Sequence, residues 1–258
     1  MKALKSMLLQ VLGQAAYLRL TSTIFFWFLR NGWLKNNPLY ATHYIIRQFI
    51  KPGHTVIDIG ANLGYYSLPF AKLVGPAGRV LAVEPIALYR SVLQKNIAHQ
   101  PQVTVLPVAL GQIEGKLKMG NPAAAKHRHG LMRVLSEDEA NSGSTAYEVE
   151  VKNPVQLFDH LQRIDYLKCD IEGYEVPVIP EMQPLIKKHQ PIVQIEVESQ
   201  NKTVIFNLLQ QLNYQLFYTQ NGGLIPFSHP QQHLPADLIG IPAARMPFFN
   251  HLVVNAAN

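Results

Sequence analysis

The chain has 258 residues, 48% of them hydrophobic, and one cysteine, Cys169. That composition excludes a disordered polymer, a disulfide framework and a cysteine zinc site, and points to one domain plus an appendage in a reducing, cytoplasmic compartment. Net charge is +6, but residues 1–57 hold seven Lys and Arg and no Asp or Glu, so the rest of the chain carries −1.

From Leu4 to Trp33 apolar residues recur at helical spacing, with a stop at Asn31-Gly32, and residues 39–50 repeat the pattern up to Lys51-Pro52-Gly53. The spacing predicts an N-terminal helical segment over residues 1–50, ahead of a larger domain over 51–258. Its basic, acid-free character has two readings. The one adopted is a helix pair covering part of the core, with Lys and Arg heads kept in water. The alternative is peripheral contact with an anionic membrane. No removed leader is expected, since Gln10 and Gln14 interrupt the apolar run and no cleavage site follows. The apolar stretch Ile24–Leu29 falls far short of the ~20 residues of a membrane span.

The stretch Thr55–Ser67, TVIDIGANLGYYS, reads as a buried strand, a glycine turn and a helix. Asp58 is the one charge among β-branched strand residues, so it needs a partner. Gly60 and Gly64 permit a sharp turn and close approach of a ligand, and Asn62 tolerates unusual dihedrals. The spacing D-x-G-x-x-x-G is not the G-x-G-x-x-G of a pyrophosphate binder, and an acidic strand end repels phosphate and suits a cation. After the next strand, Arg79–Val83, comes Glu84, placed to accept hydrogen bonds from a ribose diol. A nucleoside pocket with acids and no phosphate site fits S-adenosylmethionine, which joins a nucleoside to a sulfonium and an amino-acid tail.

Beyond the prelude, strands are expected near 55–59, 79–84, 103–109, 165–170, 191–197, 215–219 and 250–255. Helices are expected near 65–74, 86–98, 155–162, 175–188 and 201–212. Such alternation predicts an α/β fold with a seven-stranded, mostly parallel sheet. Only a Pro- and Gly-rich loop precedes residues 250–255, so that end of the sheet should be antiparallel. Residues 111–153 form an insertion between strands three and four, with strand-like Gly115–Gly120 and Ala146–Lys152 around the basic run KHRHGLMR. That run reads as a solvated loop in preference to a cationic lid.

The second constellation is DYLKCDIEGYE, residues 165–175. Asp170 falls at the carboxyl end of a strand, where open parallel sheets bind ligands, followed by Glu172, Gly173 and Glu175. Glu175 is read as an acid in the first turn of a helix. The fifth strand, PIVQIEVES, adds Glu196 and Glu198, and an acid inside an Ile- and Val-rich strand needs a partner or a pocket. Asp170, Glu172 and Glu196 are therefore expected to converge, either on a hydroxylated substrate or on a divalent ion. No metal is predicted, because no His stands at ligand spacing.

In order, VIDIGANLGYYS, VEP, VAL-G, DYLKCDIEGYE and IVQIEVE resemble the motifs of the FkbM family of S-adenosylmethionine-dependent methyltransferases, over roughly residues 53–200. The resemblance implies a Rossmann-like class I methyltransferase fold and O-methylation of a sugar, glycan, lipid or polyketide-type hydroxyl. It also implies cofactor contacts from Asp58, Gly60, Asn62, Gly64 and Glu84, and an acidic motif of Asp170, Glu172 and Glu175. Where the family commonly has a small residue before the last acid, this chain has Tyr174.

Transfer from a sulfonium is an in-line displacement, so Asp170 is expected to orient the acceptor hydroxyl or take its proton, with Glu172 and Glu196 binding substrate hydroxyls. A nicotinamide oxidoreductase would need G-x-G-x-x-G, which is absent. Nucleic acid is not expected as substrate, since no D/N-P-P-Y motif follows the fourth strand and the basic charge precedes the core. The remaining alternative is a non-catalytic, membrane-apposed scaffold with the same fold.

Overall fold

The computed structural model describes residues 10–121, 133–136, 138–139, 146–198, 201–233 and 237–254. In chain order the elements begin α1 (Gln14–Arg30), α2 (Ala41–Phe49), β1 (Thr55–Ile59), α3 (Ser67–Val74), β2 (Arg79–Val83), α4 (Ala87–Asn96) and β3 (Val103–Leu106). A meander follows, β4 (Ala109–Leu110), β5 (Gly115–Gly120), β6 (Arg133–Val134) and β7 (Ala146–Lys152). The chain then runs α5 (Pro154–Phe158), β8 (Tyr166–Cys169), α6 (Glu175–Val178), α7 (Gln183–His189), β9 (Ile192–Ile195) and α8 (Lys202–Gln211). It closes with β10 (Tyr214–Gln220), β11 (Gly223–Pro226), β12 (Leu238–Pro242) and 3-10 turns at Ala243–Phe248 and Asn250–Leu252.

The main sheet has eight strands in the order β11-β10-β12-β9-β8-β1-β2-β3. Strands β3, β2, β1, β8 and β9 pair in parallel, and β12 runs antiparallel between β9 and β10. Eight strands stand where seven were expected: six are at expected places, while β12 and the edge strand β11, which forms a hairpin with β10, are not. The order reverses between β1 and β8, and a crevice at the carboxyl ends of the strands follows from that reversal. Gly60, Glu84 and Asp170 stand there.

Alternation along each strand sets the two cores. On one face Ile57, Ile59, Leu167, Cys169, Val193 and Ile195 pack under α5 to α8. On the other, Val56, Val80, Tyr166 and Ile192 pack under α2 and α3 through Ile45, Ile46, Phe49 and Phe70. Asp58 shares the second face with Val56, which brings it to the helices α2 and α3. Helix α1 lies against α4, with Leu18 in a cluster with Ile86, Tyr89 and Val92, and Asn96 ties Ser22 to the Leu63 carbonyl.

Three expectations are corrected. Residues 250–252 form a 3-10 turn, and the last strand is LIGIP, buried at every position. Val253 makes only an isolated bridge to Leu224. The helix expected over 175–188 breaks into α6 and α7 around Pro180, whose missing N–H and ring end a helical run. The strand expected over 103–109 stops at Leu106, and Ala109–Leu110 joins a second sheet, β4-β7-β5-β6. In that sheet Gly115–Gly120 pairs antiparallel with Ala146–Val151, as the insertion's strand-like stretches suggest. Of the basic run KHRHGLMR only Arg133 is among the described residues, paired with Glu139 at 2.6 Å.

Candidate active site

Two loops meet at the switch point. Gly60 has φ 75°, and a Cβ there would lie 1.8 Å from the Asp170 carbonyl oxygen, so the loops after β1 and β8 touch only because this residue has no side chain. Its N–H and that of Ala61 donate to the Val83 carbonyl at the end of β2. Asn62 has φ 51°, and its N–H donates to Glu84 Oε2 at 2.8 Å. Gly64, φ 88°, sits 2.7 Å by its missing Cβ from Leu93 on α4.

Glu84 is buried, and its second oxygen accepts from the Ile86 N–H at 2.8 Å. Burial pushes its carboxyl up to about 7 against these two hydrogen bonds. Each oxygen retains a lone pair that a diol can use. Around it runs a cleft with apolar walls from Val83, Pro85, Ile86, Tyr89, Val108 and Leu110, and with Met119 and Val134 contributed by the second sheet. Its charged lining residues are Glu84, Asp170 and Glu172, with no Lys or Arg among the described residues. An uncharged or cationic nucleoside fits such walls, and a phosphate does not.

A second cleft shares Gly60, Asn62 and Asp170 with the first and is lined by Phe25, Leu39, Tyr40, His43, Tyr66, Lys168, Glu196 and Asp237. Asp58 finds its partners beneath it: Ser67 donates to Oδ2 at 2.6 Å, and Lys168 Nζ stands 3.6 Å from Oδ1. Lys168 also donates to Asp170 at 3.1 Å and lies 4.9 Å over the Tyr66 ring. Burial disfavours its charge, but Asp170 and Asp58 outweigh burial and raise its pKa. Burial acts to raise Asp170 too, yet Lys168 and a hydrogen bond with Glu196 hold it below the usual range. The Asp170 contact, then burial, pushes Glu196 up, so the shared proton resides on Glu196.

Glu172 has φ 55° and is pushed up to about 7, by burial and then by Asp170. Oxygens of Asp170, Glu172 and Glu196 lie within 4.8 Å of one another, so the structure brings the three predicted acids together. Strand β9 ends at Ile195, so Glu196 stands at the rim of the site and not inside a strand. Glu175 is held inward, where one oxygen accepts from the Ile171 and Gly173 N–H groups and shapes the acidic loop.

Several residues at the site carried no readable signal in the sequence. His43 stacks on Tyr66 at 3.8 Å, both its ring nitrogens are buried without a partner among the described residues, and burial followed by Lys168 lowers its pKa to about 3. Asp237 accepts from Gln194 and, at 3.4 Å, from Tyr66. Lys168 was readable only as a cation two residues before Asp170, the alternation that puts both on one strand face.

The model of the methyltransferase FkbM domain matches residues 58–216, more than half the chain. The chain belongs to this family. AMB antimetabolite synthetase AmbE of Pseudomonas aeruginosa is 28% identical over 163 residues, 50% of this chain and 8% of that protein. Methyltransferase sdnD of Sordaria araneosa is 27% identical over 152 residues, 48% of this chain and 58% of that protein. This chain thus spans well under two thirds of either relative's length. The crystal structure of methyltransferase FkbM from Methylobacillus flagellatus KT has the same fold, with TM-score 0.52, 16% identity, and coverage of 78% of this chain and 47% of that one. The domain is a Rossmann-like methyltransferase domain whose cofactor is S-adenosylmethionine, and the cleft around Glu84, lined by acids and by no Lys or Arg among the described residues, has the chemistry to hold it.

Proposed function

We propose that the protein methylates a hydroxyl of a sugar, glycan, lipid or polyketide-type acceptor. The observation that supports this reading is the junction of the two clefts at Gly60, Asn62 and Asp170. One cleft has apolar walls around a diol-binding acid; the other is crowded with hydrogen-bonding groups suited to a hydroxylated molecule.

S-adenosylmethionine supplies an electrophilic methyl group on a sulfonium. Glu84 would accept from its ribose hydroxyls, and the acids at the junction would favour its cation. Gly60, Asn62 and Gly64 shape the loop, while Asp58 acts from beneath through Ser67 and Lys168. Asp170 is the proton acceptor. Lys168 and the protonated Glu196 keep it ionised, so its carboxylate would take the acceptor O–H proton as the methyl C–O bond forms and the C–S bond breaks, with S-adenosylhomocysteine as the leaving group. Glu172 and Glu196 bind neighbouring hydroxyls, and neutral His43 accepts one more hydrogen bond. Phe25, Leu39 and Tyr40 wall the acceptor side against water.

The test is transfer of a labelled methyl group from S-adenosylmethionine to panels of glycans, glycolipids and polyketides, read by product mass spectrometry. A labelled ether in the acceptor is expected, reduced at least about a hundredfold by Asp170→Asn, the lower bound for loss of general-base help. Methylation on nitrogen or carbon, or full activity in Asp170→Asn, would overturn the reading.

A further inference from the structure

Helix α1 carries apolar residues on its inner side and an apolar stripe on its outer side. Its inner side is packed, with Leu18 and Ser22 buried and Phe25 against Tyr65 at 4.7 Å. Its outer side carries Leu20, Ile24 and Trp27, spaced four and three residues apart and therefore on one stripe, all exposed. Trp27 is 52% exposed and meets Trp33, 67% exposed, at 5.0 Å. The exposed side also carries Arg19, Thr23 and Arg30, so the apolar stripe runs beside a basic and polar one, the pattern of an interfacial helix.

The charges around that stripe have one sign. A groove between α1, α2 and α3 is floored by Phe26, Leu29, Ile46 and Leu73, and its charged lining residues are Arg30, Arg47 and Lys72, with no acid among the described residues. None of the three enters an ion pair among the described residues. With no acid anywhere in residues 1–57, a second copy of this face would meet it with like charge. No described helix is long and apolar enough to cross a membrane.

We propose that this face lies on an anionic lipid surface, with Leu20, Ile24, Trp27 and Trp33 at the acyl boundary and Arg30, Arg47 and Lys72 on lipid phosphates. Tryptophans at the interface beside basic side chains are what such a surface selects. The inference stands independently of the methyl acceptor.

The chain's only two tryptophans are Trp27 and Trp33, so intrinsic fluorescence reports on this patch. The full chain is mixed with phosphatidylcholine vesicles containing about one-third phosphatidylglycerol, and with phosphatidylcholine alone. Cosedimentation and a blue shift are expected only with the anionic vesicles, and both should reverse at high salt. Arg30→Gln and Lys72→Gln should each weaken partitioning roughly fivefold. The double variant Leu20→Ser/Ile24→Ser should lose it while still binding S-adenosylhomocysteine, which shows that the domain remains folded. Failure to bind anionic vesicles, or binding indifferent to these substitutions, would overturn the proposal. So would a dimer in sedimentation velocity that Leu20→Ser/Ile24→Ser dissolves, which would make the face a contact between copies.

Discussion

Asp58 and Lys168 face each other in register across β1 and β8, with Nζ 3.6 Å from Oδ1 and both side chains almost wholly buried. Lys168 turns the same ammonium to Asp170, so one cation links the strand beneath the glycine turn to the acid at the cleft junction. Removing it leaves a buried carboxylate without compensation. Lys168→Met should destabilise the protein by about 3–5 kcal/mol in urea denaturation. Asp58→Asn/Lys168→Met should cost less than the sum of the single changes.

Gly60 and Gly75 both have positive φ, 75° and 63°, but only Gly60 faces backbone, with the Asp170 carbonyl 1.8 Å from an added Cβ. Gly75→Ala should therefore cost only the backbone strain of φ 63° with ψ −171°, about 1–3 kcal/mol. Gly60→Ala should cost more in thermal melting and also abolish S-adenosylhomocysteine binding, because the two loops must separate.

Glu84 and His43 give opposite pH dependences. Glu84 binds a proton more tightly folded, about 7, than at its ordinary 4.5, so its contribution to stability falls as pH rises from 4.5 to 7. His43 binds a proton less tightly folded, about 3 against 6.5, so its contribution is present above 6.5 and is lost as pH falls toward 3. Relative to the unsubstituted chain, Glu84→Gln should gain stability with rising pH over 4.5 to 7. His43→Phe should gain on acidification below 6.5. Each slope is at most about 1.4 kcal/mol per pH unit, and denaturation midpoints at a series of pH values measure both.

His43→Phe also removes a hydrogen-bond acceptor from the acceptor cleft. Loss of a bond of about 1 kcal/mol predicts a KM for the acceptor roughly fivefold higher. Affinity for S-adenosylhomocysteine should be unchanged. A parallel loss of cofactor affinity would place His43 in the wrong cleft.

The central half of the sheet was legible because its signals are local: β-branched runs ending in Gly60, Glu84 and Asp170 state strand, turn and ligand side together. The last strand was not. LIGIP is a short apolar run inside a Pro- and Gly-rich loop, whereas FNHLVVN has the composition of a strand; what excludes it is that β12 already fills the place between β9 and β10. His43 and Asp237 were invisible for a related reason. They reach the site from α2 and from the residue before β12, and no spacing in the chain ties either to Asp170. The exposure of Leu20, Ile24 and Trp27 was equally hidden, since helical periodicity reveals a stripe but not whether a partner covers it.

The most direct measurement is calorimetry with S-adenosylmethionine and S-adenosylhomocysteine, on the unsubstituted chain, Glu84→Ala and Asp170→Asn, with a nicotinamide dinucleotide as control. Micromolar binding of both adenosyl ligands is expected, weakened about a hundredfold in Glu84→Ala for two lost charge-assisted hydrogen bonds; S-adenosylhomocysteine binding should be retained in Asp170→Asn, with no dinucleotide binding. Absence of adenosyl binding, or binding that Glu84→Ala leaves intact, would contradict the assignment of the cleft around Glu84.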